Sequence, residues 1–116
     1  RMRAELRSLD YFEADLESFE GEAFHITVTA TIGAVGEQGA DNFDFDVCSP
    51  EWLRVQLESD HVVSGRYMLI MADFDLPTLQ RFVEKRVRQA EGSDWPSVAE
   101  KLMAWSRWEF DGMASS

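Results

Sequence analysis

Hydrophobic and polar residues alternate most cleanly between Ala23 and Ile32. Phe24, Ile26, Val28, Ala30 and Ile32 fall on one parity, and His25, Thr27, Thr29 and Thr31 on the other. A period of two marks a strand with one face on a core. The threonine stripe is β-branched and uncharged, which suits a pleated surface left open to water or to a partner. Asn42 to Cys48 repeats the pattern, with Phe43, Phe45 and Val47 opposed in parity to Asp44, Asp46 and Cys48. The stretch 33–41 between them carries three glycines. Residues 23–32 and 42–48 are therefore predicted to form a hairpin with a long, flexible, acidic tip. Met2 to Leu9 alternates as well and is predicted to be a first strand, with its register lost at Ser8 and Leu9.

Other segments carry helical or buried patterns. Ser49-Pro50-Glu51 is a helix start: a capping hydroxyl, a proline fitted to the first turn, and an acid at the positive end. Arg66 to Asp73 is a continuous apolar run of strand length, the pattern of a central strand buried on both faces. Asp75, Pro77 and Thr78 open the longest helix, which Gly92 is expected to close. Its Leu76, Leu79, Phe82, Val83, Val87 and Ala90 recur at three and four and predict a core face, while Arg81, Lys85, Arg86 and Arg88 form a solvated one. Ser93 or Asp94 with Pro96 starts a last short helix, carrying Val98, Leu102 and Trp105, and Ser106 to Asp111 alternates as a final strand. The predicted order is β-β-β-α-β-α-α-β. The economical architecture is a single α+β domain over 1–116, with a mainly antiparallel or mixed sheet of about five strands and helices packed on one face.

Composition sharpens this picture. Hydrophobic residues are 45% of the 116, including eight Phe and four Trp, enough for a core without metals or disulfides. One cysteine, Cys48, rules out an internal disulfide and fits a reducing compartment. No apolar run approaches the roughly 20 residues of a membrane span. The chain opens with Arg1 ahead of Met2, which leaves open whether a segment precedes it.

Charge changes the picture most. The net charge is −11. Residues 1–58 hold 13 acids against 4 bases, while residues 59–116 hold 9 against 7. Between Arg7 and Arg54 there is no Lys or Arg, against 11 acidic residues. Phosphate binding needs cations, so nucleic acid is not expected as a ligand, nor is an anionic membrane. A basic protein is a fitting partner, because complementary fields speed association. The competing reading is a solvated acidic surface kept for solubility.

Candidate chemistry is sparse. His25, Asp44, Asp46, Cys48 and His61 are metal-ligating residue types, but no metal-binding spacing joins them, so neither a metal nor a cofactor is expected. Cys48 lacks an adjacent base and reads as a small residue at a strand end. Gly33, Gly36 and Gly39 sit in a hairpin tip rather than before a helix, among acids that repel phosphate. Trp95, Trp105 and Trp108 fit core positions better than a stacking platform.

Four segments taken together resemble a known family: R-A-E-L-R-S-L-D at the start, F-D-F-D-V-C-S-P-E-W-L (Phe43 to Leu53), G-R-Y-M-L-I before D-F-D, and W-E-F (Trp108 to Phe110). In this order they are similar to the immunity protein 8 family, bacterial immunity proteins of polymorphic toxin systems. The likeness runs from about residue 2 to residue 111. It implies a small cytoplasmic, non-enzymatic α+β protein that binds a cognate toxin domain and prevents self-intoxication. Joined to the charge pattern, it predicts that carboxylates meet a basic cleft, such as that of a nuclease. The candidates are Glu13, Asp15, Glu17, Glu20 and Glu22 in the acidic connection, Glu37 and Asp41 in the tip, and Asp44 and Asp46 on the strand. Tyr11, Phe12 and Phe19 are possible aromatic anchors. The alternatives are an acidic binding or scaffold domain unrelated to toxins, and a small enzyme using the open sheet face.

Overall fold

The alternating stretches 23–32 and 42–48 become hairpin partners in a six-stranded sheet. The computed structural model describes residues 1–13 and 22–112. Its elements in chain order are β1 (Met2–Asp10), β2 (His25–Ala34), β3 (Ala40–Cys48), α1 (Pro50–Asp60), β4 (Met68–Ile70), α2 (Leu76–Arg88), β5 (Glu91–Gly92), α3 (Trp95–Leu102) and β6 (Arg107–Trp108). The sheet runs β4-β3-β2-β1-β5, with β6 also paired to β3. All pairs are antiparallel except β3 with β4. The fold is therefore α+β on a mixed sheet. β5, a two-residue strand beside Met2, is absent from the predicted order.

The predicted parities hold. Phe24, Ile26, Val28, Ala30, Ile32, Phe43, Phe45 and Val47 are all buried. They meet Leu79, Val83 and Val87 of α2 and Val98, Ala99 and Leu102 of α3 in one core. α2 and α3 both lie against β1. Each helix begins as its sequence dictates. Ser49, Asp75 and Asp94 are extended N-caps whose side chains accept from Trp52, Thr78 and Ser97 main-chain N–H groups, and each helix has a proline in its first two positions. α1 buries none of its side chains. Its Trp52 stacks on His25 with ring centres 4.2 Å apart and planes at 12°.

Four expectations are corrected. The tip is neither long nor loose: the strands continue to Ala34 and Ala40, leaving five residues between them. The lost register in β1 is a bulge at Arg7, between Leu6 and Ser8. The bulge aims the Arg7 guanidinium at the turn, where it donates to the carbonyls of Ala34 (2.9 Å) and Glu37 (2.6 Å). Secondly, the run 66–73 is not a doubly buried central strand. Only Met68–Ile70 pair, at the sheet's edge, and Ile70 is 58% exposed. Thirdly, Phe82 lies on the predicted core face of α2 yet is 48% exposed, lining an open groove beside β4. Lastly, α2 ends at Arg88, and Gly92 belongs to β5.

Candidate functional site

The polar faces of β2 and β3 are directly opposed across the hairpin. Thr27 pairs with Asp46, Thr29 with Asp44 and Thr31 with Asn42. In each pair the threonine hydroxyl donates to the facing side chain: to Asp46 Oδ1 at 3.0 Å, Asp44 Oδ1 at 2.7 Å and Asn42 Oδ1 at 3.3 Å. A carboxylate that accepts one hydroxyl keeps lone pairs free on its other oxygen. Asp44 and Asp46 thus sit about 7 Å apart, two strand residues along, each with one oxygen not engaged by a threonine hydroxyl.

Neighbours complete the surface. On the β1 side Asp10 is in register with Thr29, and the Ser8 hydroxyl donates to Asp10 Oδ2 at 3.2 Å. On the β6 side Arg107 is in register with Asp44. At one end His25 Nε2 lies 3.7 Å from Asp46 Oδ2, an ion pair only when the imidazole is protonated. At the β4 edge Tyr67 adopts a left-handed backbone (φ 59°), a sparsely populated conformation for a bulky residue. Its carbonyl accepts from Asp46 N at 2.8 Å. Its ring lies 4.6 Å from the Arg66 guanidinium and 5.2 Å from that of Arg107. Tyr67, Arg66 and Arg107 were not among the predicted site residues, since only the β3 pairings bring them beside Asp44 and Asp46.

The nine predicted carboxylates do not form one patch. Asp44 and Asp46 share the open face. Glu37 is exposed at the turn, and Glu13 and Glu22 are exposed at the two described ends of the acidic connection. Asp15, Glu17, Glu20 and the candidate anchor Phe19 lie outside the described residues. Asp41 has the parity of Phe43 and turns to the opposite face. There its Oδ2 accepts from the indole N–H of Trp95 (2.7 Å) and of Trp108 (3.0 Å). It clasps β3 to α3 and β6. Of the aromatic candidates, Phe12 is 79% exposed, whereas Tyr11 is half-buried with its ring edge-on to Phe74 at 5.0 Å.

Catalytic chemistry finds little to work with. Among the described residues no three His, Cys, Asp or Glu are grouped to hold a metal ion. Cys48 is buried, and burial, then the nearby Asp46 charge, push its thiol above the ordinary value. A protonated buried thiol is a poor nucleophile. Among the described residues no helix is long and apolar enough to cross a membrane.

The family described as Immunity protein 8 matches residues 4–112, nearly the whole chain. The chain belongs to that family. No curated protein and no solved structure matches it. Membership in the immunity protein 8 family points to a toxin-immunity role, with a toxin as binding partner.

Proposed function

We propose that the chain neutralises a cognate toxin domain by laying its open β2–β3 face over a basic cleft of that domain, such as the active site of a nuclease. Asp44 and Asp46 stand in for substrate phosphate charge. Glu13, Asp15, Glu17, Glu20, Glu22 and Glu37 extend the negative field that steers encounter. Asp41 contributes indirectly, by fixing the β3 end of the hairpin. The observation that carries this reading is the threonine–aspartate ladder. Hydroxyls already hold Asp44 and Asp46 in place, so little side-chain freedom is left to lose on binding. Tyr67, Trp52 and Phe12 are aromatic groups at hand for central anchors.

The test uses the toxin domain encoded beside this chain's gene. Its affinity is measured for the unchanged chain, for Asp44→Asn with Asp46→Asn, and for Glu17→Lys with Glu20→Lys, each at low and high salt. The expected result is weaker binding for both pairs and a shallower salt dependence. Unchanged affinity with no salt dependence would remove the electrostatic part of the proposal.

A further inference from the structure

Beside the acidic face, at the β4 edge, lies a groove of about 680 Å³ between β4 and α2. Its walls are apolar, among them Met68, Ile70, Leu79 and Phe82, and it ends at Asp73 and Asp75. No lysine or arginine lines it. Ile70 and Phe82 are both about half exposed, at 58% and 48%. Both residues line the groove and leave apolar surface open beside it.

The main chain says what shape of occupant fits. Asp46 N donates to the Tyr67 carbonyl at 2.8 Å, and Met71 N donates to the Cys48 carbonyl at 2.9 Å. In a parallel ladder these bonds alternate along the strand, so Tyr67, Leu69 and Met71 turn their polar groups to β3. Met68 and Ile70 turn theirs to the other side, where no further strand pairs among the described residues. An open edge of this kind is completed by another extended segment. A strand laid there sets inward side chains over Phe82, the exposed residue of α2 that lines the groove.

The charges say which segment. A second copy of the chain brings another −11 to the contact and is repelled. A cationic partner is attracted to the Asp73 and Asp75 end, although Asp75 also caps α2 near Arg81 and Arg86 lies 6.0 Å over the Phe82 ring. We infer that the β4 edge and the β4–α2 groove take up an extended segment of the toxin as an added strand, apolar at alternate positions and basic at the end that reaches Asp73 and Asp75. The inference rests on the toxin-binding reading and gives it a second contact, continuous with the first because Met68 is in register with Asp46.

The experiment measures binding of the same neighbouring-gene toxin domain to the full chain carrying Ile70→Pro, Phe82→Ser, or Asp44→Asn with Asp46→Asn. Proline at an edge position removes only an outward N–H and leaves the ladder to β3 intact. Ile70→Pro and Phe82→Ser are each expected to weaken binding about tenfold or more, the loss of one or two interface hydrogen bonds or of one apolar anchor. In the complex of the unchanged chain, the amides of Met68 and Ile70 are expected to become protected from hydrogen exchange. Should Ile70→Pro fail to fold, Phe82→Ser and the exchange readout decide. Full-strength binding by Phe82→Ser with unprotected Met68 and Ile70 amides, while the aspartate pair still weakens binding, overturns the groove and leaves the acidic face standing. No binding by the unchanged chain overturns both. A dimer of the chain alone, seen by sedimentation and abolished by Ile70→Pro, assigns the edge to a second copy and overturns the inference.

Discussion

Replacing Asp41 by alanine separates frame from contact. The Asp41 carboxylate accepts two indole N–H groups, from Trp95 at 2.7 Å and Trp108 at 3.0 Å. Hydrogen bonds to a charged acceptor are worth about 1.5–3 kcal/mol each when buried. Asp41 is only partly buried, so the lower end applies, and water replaces part of the loss. Asp41→Ala is therefore expected to cost about 2–3 kcal/mol, and Asp41→Asn, which keeps an acceptor without the charge, about 1 kcal/mol. For a domain of this size the urea slope is roughly 1–1.5 kcal/mol per molar, so the midpoint of Asp41→Ala falls by about 2 M. Urea titration followed by far-ultraviolet circular dichroism reads this directly. Toxin affinity, measured where the variant is still folded, is expected to stay within a few-fold of the unchanged chain. An unaltered midpoint would refute the clasp, and a large loss of affinity in a fully folded variant would return Asp41 to the binding surface.

Three further outcomes follow from local geometry. Gly33→Ala is expected to destabilise the hairpin by about 1–3 kcal/mol, because a β-carbon there meets the Gly39 carbonyl and lies 2.8 Å from an Arg7 guanidinium nitrogen; a thermal midpoint at or above that of the parent contradicts this. Cys48 is expected to resist a thiol-specific disulfide reagent at pH 8 in the native state and to react at once in urea, since burial and then Asp46 hold its thiol protonated; rapid native labelling contradicts this. The caps Asp75 and Asp94 have carboxyls held below the usual 3.8 by hydrogen bonds from Thr78 and Ser97 respectively, side chain first and then main chain. Their contribution is present above the unfolded value and fades as pH falls below it toward the folded one. Asp75→Asn with Asp94→Asn should thus flatten the stability profile below about pH 4, and an unchanged acid limb measured by thermal melts contradicts this.

The hairpin was legible because burial on one face leaves a two-residue period that nothing else imitates, and all eight inward residues of Phe24–Ile32 and Phe43–Val47 are buried as that period requires. The caps were legible for the same local reason. The apolar run Tyr67–Met71 misled because a strand covered on both sides by its own chain and one left open have the same composition. Phe82 misled in the same way, since its helical spacing matches that of its buried neighbours Leu79 and Val83. The Asp41 clasp joins residues 54 and 67 apart in sequence, beyond any local pattern. One trace of it did exist: Asp41 is an acid on the parity of Phe43, Phe45 and Val47, and an acid on an apolar parity needs a donor. The Arg7 contact left a fainter mark, the stumble in alternation at Ser8 and Leu9.

β3 is bonded by three strands, and the last of them, β6, consists of Arg107 and Trp108 near the end of the described chain. During translation the hairpin is thus complete long before Trp108 emerges to meet Phe43 and Asp41. For that interval one flank of β3 at Phe43 and Asp44 is bare, and the nascent domain is open where the finished one is shut. A ribosome paused within the last few codons before Trp108 therefore holds a chain whose hairpin can form but whose Asp41 still waits for both of its indoles.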